Sequence, residues 1–239
     1  MTLINRNILL LSLVLIGSCY TIMAQLGPDV YKYEEKLGDN HMVYQFMINN
    51  QYAILSVYKT SPPEFVKTLG GFYKINNDTL EMQLEFNSNF GKDSLMQLRI
   101  PFAQTDRGIQ FRLEGLKDFK ATPKMKQDLD GEWLFAARTA DLDKGRRDAK
   151  NPRKTLKFLL DGHFQWIAYN SDTFEFFGTG GGTFTSKNGR YRESIEFFSR
   201  DNSRVGQKLG FGYELRGNDW FHTGKSSKGD PLGEIWSKR

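Results

Sequence analysis

The chain of 239 residues has one cysteine, three histidines and seven prolines. Cys19, standing alone, excludes an intramolecular disulfide and any multi-cysteine metal site. Beyond the N-terminus no run is long and apolar enough to span a bilayer, so the mature chain is expected to have no transmembrane span. No long segment repeats apolar residues at the helical period, which argues against helix bundles and alternating strand–helix folds. The formal charge is only +5, and basic residues do not interleave with aromatics in stripes, so nucleic acid is not an expected partner. Catalytic signatures are missing as well. There is no Gly-x-Ser-x-Gly elbow and no His-Glu-x-x-His helix. Gly224-Lys225-Ser226-Ser227 resembles the end of a phosphate loop, but the earlier glycine it needs is Asp219 and no helix follows. His41, His163 and His222 lie far apart, without the spacing of a zinc site. Glu193 and Glu196 sit on opposite faces of one strand and cannot share acid–base work. Neither an enzyme nor a metal or cofactor protein is expected; the alternatives are an enzyme of unknown reaction and a haem ligated by His222.

What is present starts with MTLINRNILLLSLVLIGSCYTIMAQ. Arg6 supplies a positive start, and Ile8 to Ile16 an apolar stretch of the length of a secretory signal. Cleavage after Ala24 would export the chain to the periplasm or beyond. Ile16-Gly17-Ser18-Cys19 also resembles a lipobox, which would anchor the chain to a bacterial envelope through a lipid on Cys19. The apolar run Tyr20 to Met23 would be an unusual lipoprotein tether, which favours the first route.

An internal repeat organises the rest. VYQFMINNQYAILSVY (from Val43) lies beside LKFLLDGHFQWIAYN (from Leu156), each with two apolar-alternating runs about a turn, Asn49-Asn50 or Asp161-Gly162. GGFYKINNDTLEMQLEF (from Gly70) lies beside GGTFTSKNGRYRESIEF (from Gly181) without a gap. DRGIQFRL (from Asp106) lies beside GNDWFHTG (from Gly217). The matches predict a duplicated β-rich unit, 25–122 and 127–239, behind a signal segment at 1–24. In the second copy, period-2 alternation and turn residues place strands near 131–138, 153–160, 163–170, 179–186, 190–198, 207–215, 219–224 and 231–237. Asp161-Gly162, Asn188-Gly189 and Gly217-Asn218 suit tight hairpins, because these residues tolerate positive φ. Eight strands joined in order make a meander, and an up-and-down meander removes its edges by closing into a barrel. The glycine tract from Gly178 to Gly182 is followed by a strand rather than a helix, so it is read as a bend in a curling sheet and not as a phosphate cradle.

Gly131-Glu132-Trp133 before a meander resembles the Gly-x-Trp that opens lipocalin barrels. Lys238 and Arg239 close the last strand, where such barrels often lay a cation across that tryptophan. The second unit is similar to the small secreted lipocalin-like (calycin) domains of bacteria. Gly131, Trp133 and Arg239 would then be structural residues. The resemblance implies a barrel that binds a small, largely apolar molecule. The first unit lacks Gly-x-Trp and has a weak last strand near Leu116 to Ala121, so its barrel is expected to be incomplete or to lean on its neighbour.

The copies differ where alternate residues should face the lumen. Glu193 stands where the first copy has Met82, and His222 where it has Phe111. With Tyr213 on the strand between them, they would point into one cavity walled by Trp166, Trp220, Phe158 and Phe164. Convergent polar groups in an apolar pocket are the usual makeup of a ligand site. The expected function is non-catalytic binding of a small hydrophobic or amphipathic ligand in the second barrel. The alternatives are a satisfied polar core without ligand, or an envelope module whose filled barrels bind glycan or protein through loops. The basic run KGRRDAKNPRK, with Arg146, Arg147 and Lys150, would then be a solvated loop or a rim that attracts anionic envelope components.

Overall fold

The computed structural model describes residues 26–113, 115–226 and 229–239. The expected signal segment and Cys19 lie outside these. The first barrel consists of β1 (Asp29–Leu37), β2 (Asn40–Ile48), β3 (Tyr52–Ser61), β4 (Pro63–Asn76), β5 (Thr79–Asn87), β6 (Gln97–Thr105), β7 (Gly108–Arg112) and β8 (Leu116–Ala121). The second consists of β9 (Gly131–Arg138), β10 (Arg153–Leu160), β11 (His163–Asn170), β12 (Phe176–Lys187), β13 (Arg190–Phe198), β14 (Lys208–Arg216), β15 (Asp219–Lys225) and β16 (Pro231–Lys238). Each set pairs antiparallel in chain order and closes on itself, β8 on β1 and β16 on β9. The first barrel is therefore closed, contrary to the expectation that it is incomplete. Its closure is short: only Tyr31↔Ala121 and Lys32↔Lys120 are paired across the seam.

Turn chemistry acts as the residues dictate. Asp161 and Gly162 both have positive φ, as do Asn188 and Gly189, which matches the hairpin twist to that of the strands. The glycine tract bends its strand in both barrels at the same place. The ladder shifts register between Gly70 and Gly71 on β4, and between Gly181 and Gly182 on β12. A methyl group on Gly71 would strike the Gln83 carbonyl oxygen, and one on Gly182 that of Ser194. These bulges need bare backbone because two strands approach closely there.

The barrels pack side by side. Val30, Met47, Tyr52, Ile54 and Phe86 of the first share one buried cluster with Leu134, Leu156, Phe158, Ile167 and Tyr169 of the second. Polar groups in this layer are satisfied across it. Gln165 accepts from Ser56 Oγ at 2.8 Å and donates to Thr68 and Thr179 at 3.0 Å. Tyr52 and Tyr169 both donate to Glu85 Oε2, at 3.0 and 2.7 Å, and Arg239 donates to Glu85 Oε1 at 2.7 Å. Tyr58 donates to Glu196 at 2.7 Å beside Lys32 at 3.3 Å. The first unit does lean on its neighbour, through side chains rather than through an open sheet.

One hairpin separates the two copies. β1 and β2 are zipped through nine pairs and meet at Gly38-Asp39. β9 and β10 pair only over Gly131–Leu134 and Leu156–Leu159, four pairs, and are joined by residues 139–152. Beyond Leu134 the two strands part. The connecting segment takes the freed edge of β9, with the Arg147 N–H donating to the Ala136 carbonyl at 2.7 Å.

Candidate functional site

The tight turns of the second barrel stand at one end and its longer connections at the other. The tight end is plugged by Leu129, which is fully buried and accepts the Trp133 indole N–H at 2.9 Å. Toward the other end a cavity of about 260 Å³ opens among Thr155, Lys157, Trp166, Glu193, Phe211, His222, Glu234 and Trp236. His222 and Glu234 are register partners on β15 and β16, and Glu193 stands on β13. Alternation along each strand aims all of them inward.

Lys157 is buried, with its ammonium 3.1 Å from Glu193 Oε1 and 5.0–5.2 Å from the ring centres of Tyr191, Trp220 and Trp236. Tyr191 donates its hydroxyl to the same Glu193 oxygen at 2.6 Å. Burial, then the Glu193 charge, pushes the Tyr191 phenol far above its usual range, so it stays a donor. The charges of Lys157 and Glu193 thus offset one another inside an aromatic shell.

His222 is different. It is 2% exposed and surrounded by the rings of Tyr191, Phe211 and Trp220 at 4.5–5.6 Å. Neither ring nitrogen has a hydrogen-bond partner among the described residues. Nδ1 lies 3.5 Å from Glu234 Oε2, an electrostatic contact rather than a hydrogen bond, and that oxygen accepts the Trp236 N–H at 2.9 Å. Burial pushes the imidazole below the ordinary histidine range, and the Lys157 ammonium adds to this, so the ring is neutral near pH 7. Burial alone would raise the Glu234 carboxyl. The adjacent His222 ring and Lys157 outweigh that and hold it below the usual range. A neutral imidazole with two open nitrogens can give one hydrogen bond and take another.

The residues expected at this site divide. Glu193, His222 and Trp166 line the cavity. Trp220 and Phe164 are fully buried in the packed layer nearer the plugged end and do not line it. Tyr213 packs against the same core, but its hydroxyl donates to Asp128 in the plugging segment, so it is not a polar contact of the cavity. Burial, then that bond, raises the Tyr213 phenol to about 12. Phe158 is a correction: it faces the first barrel, 6.3 Å from the Tyr52 ring centre. The two-residue turn at Asp161-Gly162 sets Phe158 opposite Gln165, and opposite residues share a face, so Phe158 and Phe164 cannot both point inward. Among the structural residues, Gly131 has φ of 141° and Trp133 is buried. The cation over Trp133 is Lys238, 5.7 Å from a ring centre, while Arg239 turns away to Glu85 and stacks 4.6 Å over Tyr52.

The basic run divides as well. Arg146 is spent on a bidentate pair with Asp219, at 2.7 and 2.8 Å, and on Ser237. Lys150 is exposed and lines no cavity described above. Arg147 folds back over the Phe135 ring at 5.1 Å and lines a second cavity of about 570 Å³ where β9 and β10 part. Its Nη1 is buried without a hydrogen-bond partner among the described residues, and burial lowers the guanidinium's hold on its proton. Thr155, Glu234 and Trp236 line both cavities, which makes them neighbours.

Lys157 and Glu234 were missed in the sequence. Asn49-Asn50 set beside Asp161-Gly162 puts Lys157 beside Gln45. The ladders set it one residue over: Lys157 pairs with Trp133 and Trp166, as Phe46 pairs with Tyr31 and Leu55. Phe46, Met82 and Phe111 in the first lumen therefore stand where Lys157, Glu193 and His222 stand in the second. Among the described residues no three His, Cys, Asp or Glu side chains gather as a metal site, and no helix is long and apolar enough to cross a membrane. No family model matches the chain, and a search of curated proteins finds no match.

Proposed function

We propose that this is an exported, non-catalytic binding protein whose second barrel, lipocalin-like in character, holds one small apolar or amphipathic molecule. The observation that carries this reading is His222: a buried imidazole with neither nitrogen hydrogen-bonded among the described residues, on the wall of a cavity lined by Trp166, Phe211 and Trp236. Buried polar groups are normally satisfied, and an orphan beside open space is accounted for by a ligand that completes it. The copy difference supports the same reading. An interior ion pair is weak evidence for stability, because well-packed apolar residues of like volume serve as well or better. The place of the Lys157–Glu193 pair on the wall of the cavity favours a binding role over a folding role. In this reading the first barrel, filled by Phe46, Phe102, Phe111 and Phe119, is a scaffold. Export follows the N-terminal signal, either freely or through a lipid on Cys19.

Native mass spectrometry of protein purified from its own cell envelope tests this. A small molecule should travel with the chain and be lost when Lys157, Glu193 and His222 are changed together to Phe, Met and Phe. A haem at His222 would be seen in the same spectrum by its mass and colour. Retention of the molecule in the triple variant would place it elsewhere, and an empty protein that takes up no small apolar probe would favour loop-mediated binding instead.

A further inference from the structure

We infer that the ligand is a small amphipathic organic anion that enters between β9 and β10 and leaves its charged group on Arg147. The inference rests on the binding role proposed above and adds the ligand's charge, orientation and path.

Three observations converge on it. First, the opening is built into one copy only. The equivalent hairpin of the first barrel is fully zipped, whereas β9 and β10 pair over four residues and then part. The 570 Å³ cavity lies where they separate and adjoins the inner cavity through Thr155, Glu234 and Trp236. Second, the segment that fills the parted hairpin brings one cation to that opening with nothing to satisfy it. Arg146 is bound to Asp219, and Lys144 holds Asp141 at 2.6 Å, but Arg147 keeps a buried, unpartnered Nη1. A guanidinium lodged on an aromatic ring and short of an acceptor suits a carboxylate or sulfonate. Third, charge fixes which end goes in. The inner cavity presents the Glu193 and Glu234 carboxylates against the single Lys157 ammonium, which already serves Glu193. The outer cavity shares Glu234 and adds Asp141, but sets Arg138, Lys144 and Arg147 against them, so the balance of charge favours an anionic group there. The anion therefore stays at Arg147, while the uncharged body lies among Trp236, Phe211 and Trp166 and offers His222 a hydrogen bond.

Two dyes that differ by one sulfonate group test this on the full chain: anilinonaphthalene sulfonate and its uncharged parent, phenylnaphthylamine. Calorimetric and fluorescence titrations should show one site per chain for both. The sulfonate should bind about tenfold tighter, as expected for one charge-assisted hydrogen-bonded contact. Arg147→Gln should erase that advantage and leave the amine unchanged. Lys150→Gln removes the same charge from the same loop away from both cavities and should alter neither dye. Arg147→Lys keeps the charge but not the fork; it should weaken the sulfonate severalfold and guards against a folding defect in the glutamine variant. A sulfonate no tighter than the amine, or an advantage that survives Arg147→Gln, overturns the anionic ligand while leaving ligand binding in place. If neither dye binds, the binding role itself falls.

Discussion

At the scale of single residues, the second lumen is an arrangement whose members depend on one another. Glu193 takes both the Lys157 ammonium and the Tyr191 hydroxyl on one oxygen. Removing one partner of a buried pair strands the other charge. Glu193→Met alone should therefore lower stability by about 3 kcal/mol. The triple change of Lys157, Glu193 and His222 to Phe, Met and Phe should be neutral or stabilising, because it replaces the whole polar set with the residues of the first lumen. Thermal and urea unfolding of both variants checks the contrast. The same measurement against pH reports on His222. Its folded pKa lies below the unfolded value of about 6.5, so in that window the unfolded chain binds more protons. Its contribution falls as pH drops below about 6.5 through the folded value, and the triple variant should lose that part of the slope. Glu193 and His222 were readable as residues out of place in an apolar alternation. Lys157 was not, because a repeat aligned one residue off turns every side chain of a strand to the other face.

At the scale of elements, hairpins and bulges follow local chemistry closely. Every strand expected in the second copy is present, with ends shifted by a few residues at most. The bulge on β12 should be intolerant: Gly182→Ala sets a methyl group against the Ser194 carbonyl oxygen, and backbone has no rotamer to yield. We expect a loss of about 2 kcal/mol, within the range for overpacking, whereas Gly91→Ala, with open space around it, should cost far less. Denaturant midpoints of the two variants decide this. The parted hairpin is the exception among the elements. Residues 139–152 read in sequence as a basic loop, but no periodicity announces that such a loop will lie along a strand edge and turn one of its three expected cations inward.

At the scale of the molecule, the chain is two barrels that bury their outer faces on each other. Phe158 and Tyr169 meet Tyr52 and Phe86 there, and Glu85 satisfies Tyr52, Tyr169 and Arg239 together. A shared buried layer couples two units into one cooperative transition. Scanning calorimetry should show a single peak whose calorimetric and van't Hoff enthalpies agree. Glu85→Ala should lower its midpoint by the equivalent of about 3 kcal/mol, since it leaves a buried guanidinium and two phenols without their acceptor. Two resolved peaks in the unaltered protein would show that the interface does not couple the barrels.

The linear chain by itself determined the all-β class, the duplication, the turns, the bends at glycine and the two strangest inward residues. Those are local properties, set by period-2 alternation and by which residues accept positive φ. Only the tertiary structure decided which faces meet between barrels, that Arg239 serves the interface rather than Trp133, and that Lys157 and Glu234 complete the cavity. These depend on register summed around a closed sheet and on contacts between residues more than a hundred positions apart. No local pattern carries that information, because the same alternation is compatible with either face turned inward until the barrel closes.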